Sequence, residues 1–267
     1  MSDQTTPSAA GTLAPALDDT HAAYVLGLAD DALVYAQRLG EWITWAPALE
    51  EDMALANVSL DHIGQARRLL TRVGELDGTG RSEDELAYFR TEQQFRNVHL
   101  VEQPRGHFGQ EMARMLWFAA YQRELYAALE SSCDETLRGV AAKAGKEVRY
   151  HLDHAAQWVV RLGDGTDQSH ANMQEGLAWV APFVDELFDD DPAAAAAAAA
   201  GVGVAPSSLR PGAQAGVEAV LAEATLQLPA PPAWRSRGGR AGSHSEHLGY
   251  LLAEMQHLAR QHPGASW

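Results

Sequence analysis

Cys133 is the only cysteine in the 267 residues. A single thiol closes no intrachain disulfide and builds no cysteine-rich metal cluster. Its setting, Ser-Ser-Cys-Asp-Glu, reads as a helix boundary rather than a nucleophile's pocket. Positive charge is scarce as well: 20 Lys and Arg stand against 36 Asp and Glu, a formal net charge of −16. Phosphate backbones and anionic headgroups repel so acidic a chain, which argues against nucleic-acid and membrane-surface partners. No apolar run approaches the ~20 residues of a membrane-spanning helix. The nearest, 193–205, is short and interrupted by Gly201 and Gly203. Residues 1–19 carry neither a basic residue nor an apolar stretch. They read as a disordered tail rather than a signal peptide, and the expected compartment is the cytoplasm. Gly-x-Gly-x-x-Gly, the Walker loop and Gly-x-Ser-x-Gly are all missing, so the commonest nucleotide and hydrolase signatures do not apply.

What remains is helical. Val25, Leu28, Ala32, Tyr35, Leu39 and Trp42 recur at three- and four-residue steps, the spacing of one helix face. Pro47 marks a turn, and a second helix runs over about 48–76 on Met53, Ala56, Leu60, Ile63, Leu70 and Val73. Ser82 with Glu85 forms a capping box. Residues 90–107 are polar, contain Pro104 and Gly106, and read as an irregular connection. Further helices are predicted over about 108–129, 135–162, 173–187, 212–225 and 243–260. The alanine tract at 193–205, flanked by Pro192, reads as a low-complexity, linker-like insert. Four long helices followed by shorter ones predict an all-α four-helix bundle with extra C-terminal helices, forming one domain over residues 20–267.

Bundles of this size often hold two carboxylate-bridged metals. The ligands are a Glu from each of two helices and Glu-x-x-His from each of the others, because hard cations need anionic oxygens and the i, i+3 spacing aims both ligands at the axis. Here the pattern is degenerate. The first helix offers Glu41. The second offers Asp61, with Gly64 rather than His three residues on. The third offers Glu124. The fourth offers Glu147, followed at i+3 by Tyr150, with His151 and His154 beyond. Cation–carboxylate pairs are the expected replacement for the metal, so no metal is expected in this chain. The competing reading is an independent di-metal oxidase built from Glu41, Asp61, Glu147 and His151. Separately, Arg237 and Arg240 lie in a Gly-rich loop before the last helix, an arrangement suited to a phosphate.

Several strings are too specific for generic helix patterning. They include Gln37-Arg-Leu-Gly-Glu-Trp, Gly64-Gln-Ala-Arg, Gln94-Phe-Arg-Asn with Val101-Glu-Gln-Pro, and Lys146-Glu-Val-Arg-Tyr-His-Leu. Arg161-Leu-Gly-Asp-Gly-Thr-Asp and His244-Ser-Glu-His-Leu-Gly extend the set. Over about 24–267 the chain resembles the C subunits of bacterial phenylacetyl-CoA 1,2-epoxidase complexes. The resemblance implies a ferritin-like fold and a structural, non-catalytic role beside a catalytic A subunit. That partner carries the di-iron site, and the complex uses O2 and NADPH to epoxidise the ring of phenylacetyl-CoA in phenylacetate breakdown. It also implies substrate near the subunit interface, with Gln94, Phe95, Arg96 and Asn97 as contact residues.

Overall fold

The computed structural model describes residues 20–265. The tail predicted at 1–19 lies outside them. Two long helical hairpins make the frame. Helix α1 (Thr20–Gly40) packs along α2 (Leu49–Leu76), and α5 (Phe108–Leu129) packs along α6 (Glu135–Gly163), with α2 also against α6. A long crossover joins the hairpins and carries α3 (Glu83–Tyr88) and α4 (His99–Glu102). Then come α7 (Asp167–Val184), α8 (Pro192–Ala199), α9 (Arg210–Glu223) and α10 (Glu246–Gln261). Among the described residues there is no strand. This is a ferritin-like four-helix bundle with one long crossover and additional C-terminal helices.

The helix starts follow from local chemistry. Asp134 accepts from the backbone N–H groups of Thr136 and Leu137 at the head of α6, and Ser82 with Glu85 forms the reciprocal box at α3. Both satisfy N–H groups that a helix start otherwise leaves unpaired. Helix α7 begins at Asp167, earlier than its apolar periodicity suggests, because Thr166 and Ser169 cap a polar first turn. Helix α5 is buried nearly all round, with α6, α7 and α9 against it, as expected of a helix apolar on every side.

Two connections depart from their sequence reading. The 193–205 tract is not a linker. Asp191 caps the N–H groups of Ala193 and Ala194, Pro192 takes the first helical position, and Ala194 and Ala197 bury themselves on the side facing α1. Side chains this small let α8 lie close against its neighbour. The 90–107 segment, read as a polar, irregular connection, lies largely inside: Phe95, Asn97, Val98, Leu100, Val101 and Glu102 are all buried.

Helix α7 crosses α5 at backbone distance. A Cβ added at Gly176 would stand 2.5 Å from the Gly109 carbonyl oxygen, and backbone cannot move aside as a side chain can. Gly176→Ala is expected to cost about 1–3 kcal/mol, read as a lowered urea midpoint at unchanged slope. An unchanged midpoint would show that the crossing relaxes freely.

Candidate functional site

At mid-bundle each long helix sends residues to the axis. They are Tyr35 from α1, Ser59 and His62 from α2, Phe118 from α5, and Val148 and His151 from α6, all buried. The rings form one cluster of edge-to-face and tilted contacts. Tyr35 meets Phe118 with centroids 5.0 Å apart and His62 at 5.2 Å, and His62 in turn lies 5.2 Å from His151. Ser59 Oγ donates to the Ala36 carbonyl at 2.8 Å. His151 Nε2 lies 3.0 Å from Asp61 Oδ2 at the bundle edge. Burial, with some help from His151, pushes the His62 pKa well below its usual value. Burial also lowers His151, outweighing Asp61 and Glu147. Both imidazoles are therefore held neutral.

This geometry corrects the helical frame read from the sequence. The inward positions of α2 and α6 are His62 and His151, not Gly64 and Tyr150. Gly64 sits at the rim near Lys143, and Tyr150 is 77% exposed. The second helix has therefore kept its histidine. What it has lost is the carboxylate: three residues before each imidazole stand Ser59 and Val148, where Glu-x-x-His requires Glu. Tyr35 and Phe118 face the axis at the same level on the other two helices.

A di-metal cluster does not fit this donor set. The imidazole Nδ1 atoms of His62 and His151 are buried without a partner, but the positions three residues before them hold Ser59 and Val148 in place of carboxylates, and the Phe118 ring lies 5.8 Å from His62. Among the described residues no three His, Cys, Asp or Glu side chains stand together so as to hold a metal ion.

The four residues of the oxidase reading do not converge. Asp61 and His151 meet, as described. Glu147 pairs with Lys143 at 2.8 Å and accepts from Gln65, whose carbonyl oxygen in turn accepts from the Tyr126 hydroxyl. Glu41, beyond the end of α1, pairs with Arg38 at 2.5 Å. Glu124 is tied to Arg123 at 2.6 Å, next to α9. His154 pairs with Glu51 at 3.1 Å.

A second interior cluster went unnoticed in the sequence. Glu111 accepts from the Tyr35 hydroxyl and from Trp42 Nε1, each at 2.9 Å, and pairs with the fully buried Arg114. The available signal was an acid–base pair at i, i+3, Glu111 and Arg114, among the apolar residues of the first half of α5.

The residues assigned to substrate and phosphate are mostly occupied by the chain itself. Gln94 completes a capping box with Thr91. Phe95 is buried beneath the Arg90 guanidinium, 4.1 Å from its ring. The Arg96 backbone N–H donates to Asp30, and its guanidinium donates to the carbonyls of Gln93 and Phe95. Asn97 is buried and donates to Glu102 at 2.9 Å. Arg240 forms a two-point pair with Asp31 and also donates to the carbonyls of Gly27 and Arg96. Burial raises the Asp31 carboxyl to about 6 against the pull of Arg240. Arg237, in contrast, is exposed. No helix among the described residues is long and apolar enough to cross a membrane.

Likeness to known proteins adds what geometry does not. A family profile described as "Phenylacetic acid catabolic protein" matches residues 6–267. The chain is 47% identical over 245 residues to the C subunit of the 1,2-phenylacetyl-CoA epoxidase of Escherichia coli (strain K12). The alignment spans 92% of this chain and 98% of that relative.

Proposed function

The chain belongs to the phenylacetic acid catabolic protein family, and we propose on that premise that it is the non-catalytic, structural subunit of a phenylacetyl-CoA 1,2-epoxidase. Its partner is the di-iron catalytic A subunit, which epoxidises the ring of phenylacetyl-CoA with O2 and NADPH in the cytoplasm. The observation that carries the reading is the mid-bundle level itself. Ser59 and Val148 replace the two Glu of the paired motifs, and Tyr35 and Phe118 fill the axis. A bundle packed in this way has stability to contribute rather than a reaction centre. It would stabilise its partner by mass action, since a subunit that binds only the folded form draws the equilibrium toward it. In this reading Gln94, Phe95, Arg96, Asn97 and Arg240 are framework residues. Arg237, exposed and within the field of Asp189, is the loop cation that would meet an anionic group of the substrate.

The test is made on two samples. The isolated chain is assayed for iron by mass spectrometry, and the chain is co-expressed with its catalytic partner and purified through a tag on either one. A metal-free chain in a stoichiometric complex is the expected outcome. Near-stoichiometric iron in the isolated chain overturns the non-catalytic assignment, and failure to co-purify overturns the partnership.

A further inference from the structure

Residues 236–245 lie across the crossover as a strap. A Cβ added at Gly239 would stand 2.2 Å from the Asn97 carbonyl oxygen, and one at Gly242 would stand 2.3 Å from that of Gln93. Gly238 and Gly242 also hold φ of 97° and 81°, left-handed backbone that glycine adopts without strain. Two buried carboxylates keep the strap down. Near its start, Glu186, just past the end of α7, accepts from the Ser236 hydroxyl and the Gly239 N–H, at 3.1 and 2.9 Å. At its far end, Glu102 of α4 accepts from the Ser245 N–H at 2.6 Å and meets His244 Nδ1 at 2.8 Å. The side chains of Glu102 and His244 are fully buried.

Counting donors places a proton in this latch. His244 Nε2 lies 3.0 Å from the Phe95 carbonyl oxygen, which can only accept, so Nε2 carries a hydrogen. Nδ1 faces a carboxylate oxygen, which also accepts when ionised. Their contact is a hydrogen bond only if the ring or the carboxyl brings one more hydrogen. Without it, two acceptors face each other at 2.8 Å in a site closed to water, and both are left unsatisfied. The neighbouring groups do not supply that hydrogen. Asn97 and Ser245 give Glu102 neutral donors only, and Arg38 of α1 meets the Glu102 backbone carbonyl rather than its carboxylate. His99, on the same helix, is engaged by Glu186 and stands 4.0 Å from Glu102. Arg240 is paired with Asp31, and Arg96 is turned to the carbonyls of Gln93 and Phe95. We propose that 236–245 is a proton-latched strap. The hydrogen shared by His244 and Glu102 holds it closed over the crossover, and loss of that hydrogen as pH rises lets the strap open locally while the bundle stays folded.

A solvated imidazole gives up its extra proton above about pH 6.5. Each opening above that pH therefore releases one proton, and the opening constant rises by up to about tenfold per pH unit. The experiment is amide hydrogen exchange of the full-length chain, read by mass spectrometry at about pH 6.5, 7.5 and 8.5. Each rate is divided by that of an unstructured peptide at the same pH. Peptides covering 236–245 are expected to be less protected than those of α5 by more than about tenfold, and to lose roughly a further tenfold or more over the series. His244→Asn keeps an amide donor for Glu102 but carries no titrating proton, and is expected to abolish that pH dependence. His244→Phe leaves the carboxylate without its partner, and is expected to lower the strap's protection at every pH while α5 stays protected. If His244→Phe does not fold, His244→Asn alone decides. A strap as protected as α5, with the same pH dependence, overturns the proposal, because it then opens only with the whole chain. So does a pH dependence that persists in His244→Asn, which would move the proton to His99 and Glu186.

Discussion

Glu111→Gln is expected to cost about 3–5 kcal/mol, the range for breaking one side of a buried ion pair. The Glu111 carboxylate takes three donors at once: the Tyr35 hydroxyl, Trp42 Nε1 and the Arg114 guanidinium. Burial and then the field of Glu111 hold the Tyr35 phenol well above its usual pKa, so its hydroxyl stays a donor at any ordinary pH. An amide satisfies one or two of these groups and turns its own NH2 toward the rest. Arg114 suffers most. Its side chain is fully buried, its Nε has no partner, and its good remaining contact is the Gln103 carbonyl at 2.6 Å. Against a typical total of about 5–15 kcal/mol, the loss is a large fraction of the stability. Removing both charges, as in Glu111→Leu/Arg114→Met, is expected to recover much of it, because apolar replacements of similar volume avoid the uncompensated charge. Urea denaturation of Glu111→Leu, Arg114→Met and the double reads this as a coupling energy. If the double loses as much as the sum of the singles, the pair is not the cause.

The contrast between what the sequence disclosed and what it hid follows from the range of each interaction. Helices α5 and α6 start where their caps and periodicity place them, at Phe108 and Glu135, because both signals act within a turn or two. The bundle itself was legible for the same reason. The frame of the candidate site was harder. Spacing relates Glu147 to Tyr150 and His151, but it does not say which of them faces inward. The buried row Ala144, Val148, His151, Ala155 and Val159 settles that. On α2 the buried row Leu55, Val58, Ser59, His62 and Gln65 does the same. Counting forward from the carboxylates leads to Gly64 and Tyr150, whereas counting back from the imidazoles His62 and His151 leads to Ser59 and Val148. The alanine tract was opaque for another reason: with the same side chain at every position it has no periodicity, so the face it docks on α1 leaves no trace. The ion pair of Arg240 was hidden because its partner, Asp31, lies 209 residues away.

Glu186→Gln is expected to produce the second large loss, about 3–5 kcal/mol, together with a change in pH dependence. The Glu186 carboxylate accepts from the backbone N–H and the imidazole of His99, from the Ser236 hydroxyl and from the Gly239 N–H, at 2.8–3.1 Å. It therefore ties the end of α7 to α4 and to the loop before α10. Burial opposes charge on His99, but the hydrogen bond and field of Glu186, with Glu102 adding, raise its pKa above the usual 6.5. Burial likewise opposes charge on Glu186, and the His99 contacts with the Gly239 N–H outweigh it, so its pKa falls below 4.5. The His244 ring, 6.1 Å from that of His99, bonds Glu102 at 2.8 Å.

The signs follow from linkage. Above pH 6.5 the folded chain still holds the His99 proton that the unfolded chain has released. That stabilisation is complete below 6.5 and is lost as pH rises through the folded value. The Glu186 contribution is present above 4.5 and is lost as pH falls through its own folded value. His62 and His151 act on the other side of 6.5. Below it the unfolded chain takes up protons that these buried neutral rings refuse, so stability falls on acidification. The three histidines thus bracket a maximum near pH 6.5. In urea midpoints taken between about pH 5 and 8.5, Glu186→Gln is expected to flatten the alkaline limb and spare the acid one. His62→Phe is expected to do the reverse, since it removes a group whose neutrality is enforced and keeps an aromatic ring beside Phe118. An alkaline limb that survives Glu186→Gln unchanged would show that the His99 proton is held by something else. An acid limb that survives His62→Phe unchanged would assign that titration to groups other than His62, His151 first among them.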